Sequence, residues 1–229
     1  MTNRDPADWH MARSHIYGLL GNLLSQQPSA PALDQMMRPE VVENLAALFA
    51  GPSIGRRFRQ VAEQYAGGHV TAEQILLDYE SLMRVPGPAY THPYESFYRC
   101  GTGGGKQVRR GALCGRPTLE VERYYRSEGL TPKYGRVDFA DHIGAELSFM
   151  AYLCRRQAEA LAEGNGRVVR CLEEKQRRFA SDHLFGWTED FCKALEAGAA
   201  TQFFKGLARM LLDFVAMEKK MGQTPPMNG

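Results

Sequence analysis

The sequence predicts an all-α fold, a helical bundle of about nine to ten helices in two halves joined by a glycine-rich hinge loop. Three observations predict it. Nearly every apolar stretch repeats at the three- and four-residue steps of one helix face. No run alternates apolar and polar residues as a half-buried strand would. One long segment, about residues 86–117, lacks periodicity and holds much of the chain's glycine, as a break between two helical halves would.

Ile16, Leu19, Leu20, Leu23 and Leu24 share a face of the first helix, which Pro28 and Pro31 stop. Pro39 opens a second helix from a first-turn position, with Val42, Leu45 and Phe49 on one side. Thr71 followed by Gln74 is a capping box, with Ile75, Tyr79, Leu82 and Met83 behind it. The run from Val85 to Pro88 ends that helix. Beyond the aperiodic segment, residues 118–129 read as a short helix. The strongest helix starts near Asp138, its expected N-cap, with Asp141 in the first turn. Ile143, Leu147, Met150, Cys154, Ala158 and Leu161 form its stripe, and Gly164, Asn165 and Gly166 end it. A helix over 167–182 follows. Then come the stripe Trp187, Phe191 and Leu195, and a last helix carrying Phe203, Leu207, Met210, Phe214, Met217 and Met221. The divisions are 1–100, a hinge or linker over 101–137, and 138–229.

Composition narrows the function. The 229 residues carry a net charge of +2, too nearly neutral for a nucleic-acid binder that works by bulk charge. Five widely spaced cysteines without a CxxC give neither a disulfide framework nor a zinc site of usual spacing. Cys154 and Cys171 read as core residues. With no signal peptide and no apolar run of membrane-spanning length, the expectation is a cytoplasmic protein without stable membrane insertion.

The glycine run 103–105 fails as a phosphate loop. Such a loop would need glycine at Cys100 and Ser or Thr at Gln107, after a strand. Gly101, Gly103, Gly104 and Gly105 are read instead as a hinge. Lys106, Arg109, Arg110 and Arg116 behind them are a solvated loop or a seat for a phosphate or acidic surface.

Two Asp-His pairs, Asp141-His142 and Asp182-His183, stand at helix ends. They are caps or halves of one site. His142 and Glu146 are one turn apart, which admits a metal-dependent helical-bundle enzyme using His142, Glu146 and His183. Against it, Phe149 stands where a di-iron helix would place histidine, and the order is Asp-His rather than His-Asp. Metal ligands and catalytic residues are therefore expected to be none.

The segments HPYESFY (92–98), DFADHIGAELSFMAYL (138–153) and FASDHLFGWTEDF (179–191), with ARSHIYGLLGNLLSQQP (12–28) before them, resemble the TorD/DmsD/NarJ-type chaperone family. The resemblance covers most of the chain. Departures are Lys175 and Phe179 where the family often has Glu and Leu, and Ala140 where proline usually precedes the first Asp-His pair. The resemblance implies a non-enzymatic maturation chaperone of a molybdopterin oxidoreductase. Such a chaperone binds the catalytic subunit and its twin-arginine leader peptide until the cofactor is inserted. The expected cofactor is none, contact with molybdopterin or GTP being open but supported by no motif, and the hinge permits a monomer or a domain-swapped dimer. The residues fit this: leader arginines need carboxylates beside an apolar groove. The leader-binding set is Tyr94, Glu95, Ser96, Tyr98, Asp141, His142, Glu146, Asp182, His183 and Trp187, with Phe97 among the aromatics.

Overall fold

Helices follow the apolar stripes throughout the residues that the computed structural model describes: 5–48, 52–99, 115–131 and 139–222. Among them are eleven α-helices, a π-helical turn and a 3-10 turn. Among the described residues, paired backbone of the extended kind is confined to an isolated bridge between Tyr94 and His142. The glycines proposed as a hinge, Asp138, Cys100, Cys114 and the basic residues 106–110 lie outside the described residues.

Contacts group the chain into two compact units, each made from two stretches: Met1–Gln27 with His92–Trp187, and Pro28–Thr91 with Thr188–Gly229. The units interleave along the sequence, whereas the division at the glycine run would make consecutive halves. Packing, which glycine composition does not report, sets this grouping.

The first unit contains α1 (Pro6–Ser25), α6 (Glu95–Arg99), α7 (Arg116–Ser127), α8 (Ile143–Ala162), α9 (Gly166–Asp182) and the 3-10 turn Leu184–Gly186. Asp5 caps α1, accepting from the Ala7 N–H at 2.9 Å, and Pro6 fits its first turn. α1 and α8 pack backbone to backbone. A methyl group on Gly144 would lie 2.0 Å from Ser25 Oγ and 2.7 Å from the Gly21 carbonyl. Ile16, Tyr17, Leu20 and Leu24 of α1 and Leu147, Met150, Leu153 and Cys154 of α8 are buried. A polar thread crosses this core. Arg13 donates to Gln176 Oε1 at 2.9 Å, and Gln176 Nε2 donates to Gln157 Oε1 at 2.6 Å. Cys171 is exposed on α9, contrary to its core reading, because it falls on the outer side of Leu172 and Gln176.

The second unit contains α2 (Ala30–Met36), α3 (Pro39–Leu48), α4 (Pro52–Ala66), α5 (Ala72–Tyr79), the π-helical turn Glu80–Arg84, α10 (Thr188–Gly198) and α11 (Gln202–Gly222). The Thr71–Gln74 capping box forms with both bonds in place. At the π turn Val85 N–H reaches the Glu80 carbonyl at 2.8 Å, and Thr91 satisfies the Leu82 carbonyl by its N–H and its hydroxyl. Asp78 accepts from Ala200 N, Thr201 N and Thr201 Oγ1 at 3.0, 2.8 and 2.6 Å, closing the start of α11. Phe203, Leu207, Met210 and Phe214 of the expected stripe are buried, while Met217 and Met221 are partly open.

Candidate functional site

All ten residues of the expected leader-binding set fall in the first unit. The site begins with a backbone register. Ile143 N–H donates to the Pro93 carbonyl and Glu95 N–H to the Asp141 carbonyl, both at 2.9 Å. These two bonds hold HPYESFY against the start of α8. His92 takes a left-handed backbone conformation (φ 48°) and stacks its ring on Phe97 at 3.9 Å. The chain then turns into α6, so the segment expected to be a loop contains a short helix. Its five residues are too few to show periodicity in a sequence.

Asp141 is fully buried and precedes α8 rather than lying in its first turn. Its carboxylate closes α6 instead, accepting from Ser96 N–H at 2.8 Å, and holds α7 by accepting from Thr118 Oγ1 at 2.9 Å. His142 is the N-cap of α8. Its Nδ1 accepts from Gly144 N–H at 3.0 Å, which leaves the ring proton on Nε2. Burial pulls its pKa down to about 3. The expected start near Asp138 therefore moves to Ile143, because residues 141–143 are engaged with 93–95.

Glu95 is the hub of the site, with 0% of its surface exposed. His183, the C-cap of α9, faces it with Nδ1 2.9 Å from Oε2. Arg99, one turn further along α6, donates to Oε1 and also to the backbone carbonyl of Asp182, the last residue of α9. The two Asp-His pairs thus grip one residue. Asp141 takes the Glu95 N–H and His183 faces the Glu95 carboxylate. The sequence left open whether the pairs share a site; they do so through α6.

Glu146 is also fully buried. Trp187 Nε1 donates to its Oε2 at 3.2 Å, while Oε1 and Ser96 Oγ have no hydrogen-bond partner among the described residues. Burial, and then the charges of Glu95 and Asp141, push its carboxyl well above the ordinary 4.5. Burial, and then the carboxyls of Glu146, Asp141 and Glu95, raise the phenol of Tyr125, which donates to the Ala140 carbonyl at 3.0 Å.

Tyr94 and Trp187 are buried, Tyr98 is half-buried and Asp182 is exposed. Tyr98 stacks on Trp187 at 5.6 Å and meets Phe97 edge-on, so an aromatic strip reaches solvent from the junction. Asp182 accepts from Tyr124 OH at 3.1 Å. Beside it lies a cleft of about 680 Å³ between a face of α7 (Arg116, Glu120, Arg123, Tyr124) and the end of α9, with Arg99 and His183 also in its wall.

Of the four carboxylates proposed to meet leader arginines, only Asp182 faces solvent. Glu95, Asp141 and Glu146 bond inside the chain. His142 and His183 each commit Nδ1 internally, and no group of three or more metal-ligating side chains occurs among the described residues. The metal-dependent alternative is not favoured. Arg99 and Thr118 escaped sequence reading. The four-residue spacing from Glu95 to Arg99 was a visible signal; nothing local marked Thr118.

The family of nitrate reductase delta subunits matches residues 32–193 of this chain, and the chain belongs to that family. Its relatives agree with the TorD/DmsD/NarJ-type resemblance. The perchlorate reductase assembly chaperone protein of Dechloromonas aromatica (strain RCB) is 34% identical over 97 residues, 42% of each chain. The chlorate reductase assembly chaperone protein of Ideonella dechloratans is 32% identical over 82 residues, 36% of this chain and 42% of that protein. The selenate reductase assembly chaperone protein of Thauera selenatis is 25% identical over 188 residues, 81% of this chain and 90% of that protein. The first two matches span about two fifths of those relatives' length. No described helix is long and apolar enough to cross a membrane.

Proposed function

We propose that this chain is a cytoplasmic, non-catalytic assembly chaperone for a molybdopterin oxidoreductase, holding the catalytic subunit before export through its twin-arginine leader. The observation that carries this reading is the match over 81% of the chain to a relative named as a reductase assembly chaperone. The site supports binding rather than catalysis. Glu95, Asp141, His142 and His183 are engaged by hydrogen bonds within the chain, and a mixed-charge cleft and an aromatic strip lie beside them. Asp182 and Glu120 would meet leader arginines, and Phe97 and Tyr98 the apolar stretch that follows.

Capture from host lysate tests the reading. Tagged wild-type chain is expected to retain an oxidoreductase precursor with its leader attached. An Asp182→Ala/Tyr98→Ala variant, altered only at solvent-reaching side chains, is expected to fold normally and retain much less. Recovery of no oxidoreductase with either chain would overturn the proposal. Size-exclusion chromatography of the same samples decides between monomer and domain-swapped dimer.

A further inference from the structure

The acceptors around Arg99 have the chemistry of a site for an incoming arginine. Glu95 supplies a carboxylate with no exposed surface, held by His183 Nδ1 2.9 Å from Oε2. The Asp182 carbonyl, at the C-terminal end of α9, supplies a second acceptor, where helix carbonyls lack intrahelical donors and carry partial negative charge. The two come from different elements and are satisfied together by one guanidinium. Both acceptors are met by one nitrogen, Arg99 Nη1; a guanidinium, more weakly hydrated than an ammonium, suits a carboxylate with no exposed surface. The guanidinium belongs to the chain itself. Arg99 is 38% exposed and lines the cleft that opens beside Glu95. The carboxylate of Asp182 faces the same cleft.

We propose that Glu95 and the end of α9 form a guanidinium-binding site that Arg99 occupies in the free protein, and that a leader arginine takes its place when Arg99 swings into the cleft. The proposal deepens the leader-binding reading and rests on it. It explains how a fully buried carboxylate can serve an external arginine. No charge is left uncovered, because one guanidinium replaces another, and the exposed Asp182 carboxylate receives the displaced or second arginine. Arg99 thereby sets the affinity. A ligand that must displace a resident group binds more weakly by the fraction of time the site stands open.

The experiment uses the full chain as wild type, Arg99→Ala and Arg99→Ala/Glu95→Gln, and follows thermal unfolding. Low-millimolar guanidinium or arginine amide is expected to raise the Tm of Arg99→Ala. It should leave the wild type and the double variant unmoved, and methylammonium at equal concentration should have no effect. An equal response of Arg99→Ala and wild type overturns the proposal. Where Arg99→Ala does not fold, Arg99→Lys keeps a cation beside Glu95 and is titrated with labelled leader peptides. A twin-arginine peptide is expected to bind it about tenfold more tightly than wild type, and a twin-lysine peptide is expected to bind the two alike. Tm rescue without peptide binding retains the guanidinium site and removes the leader reading. Peptide binding that ignores position 99 retains the leader reading and removes this site.

Discussion

Each compact unit buries a carboxylate that organises a helix end, and the two solve the problem differently. Asp78 is satisfied wholly by uncharged donors of one short stretch, Ala200 N–H and the N–H and hydroxyl of Thr201. Glu95 is satisfied by Arg99 and His183, side chains from two separate elements. The first arrangement is architectural, since its donors are fixed by the helix they begin. The second depends on a long side chain that reaches solvent and can leave. Burial of a carboxylate is common to both; a partner that reaches solvent, Arg99, separates the candidate binding site from the cap.

Removing Glu95 should have the largest effect. Glu95→Ala strands the buried His183 and takes the carboxylate from the part-exposed Arg99, and breaking a buried pair at one side costs up to about 3–5 kcal/mol. Urea unfolding measures it. A loss under about 1 kcal/mol, the size of a surface pair, would mean that the junction is not closed as described. Client capture should fall with it.

Glu146 sharpens the contrast within one unit, for it lacks a cation among its direct contacts and its carboxyl is pushed up by burial instead. Its folded pKa is raised, so the folded state binds more protons than the unfolded one above pH 4.5. Stability associated with this group is full below that pH and declines as pH rises toward the folded value. Glu146→Gln keeps an acceptor for Trp187 Nε1 and removes the titration. The variant should match wild type near pH 4 and exceed it increasingly toward pH 8, by thermal melts across that range. A parallel pair of curves would refute a proton-bearing Glu146.

Asp78→Ala comes next and breaks the comparison if it behaves like Glu95. It leaves buried backbone donors unsatisfied, worth about 1–3 kcal/mol. It should lower the urea midpoint while client capture by the folded fraction stays unchanged. Loss of capture at equal folded fraction would show that the second unit takes part in binding.

The sequence reveals these two regions unequally, for physical reasons. Long helices are legible because their cores repeat, as with Leu147, Met150 and Cys154 on α8, and because local caps such as Thr71–Gln74 are complete within four residues. The residues of the site were legible as motifs, but their roles were not. Asp141 reads as a first-turn residue of α8 because its true donors, Ser96 N–H and Thr118 Oγ1, are 45 and 23 residues away. α6 is too short to announce itself. The spacing from Glu95 to Arg99 marks the pair in the sequence, but not the second partner of Arg99, a backbone carbonyl 83 residues distant.

The smallest expected effect at neutral pH belongs to His142. Its ring caps α8 through Nδ1, and its pKa is pulled by burial from 6.5 to about 3. The folded state therefore holds this ring neutral where the unfolded chain protonates it. Stability linked to it is present above pH 6.5 and is lost as pH falls toward 3. Asparagine is a good N-cap and has no titration in this range, so His142→Asn should change little at pH 7. One pH unit below 6.5 it should recover up to about 1.4 kcal/mol relative to wild type. His10, held down to about 4 by burial and by Arg13, titrates in the same window and keeps part of the acid slope in the variant. Urea midpoints at pH 7 and pH 5.5 for both chains measure the difference. If the variant loses stability equally at both values, His142 contributes by packing against Tyr94, whose ring meets it edge-on at 5.2 Å, rather than as a neutral cap.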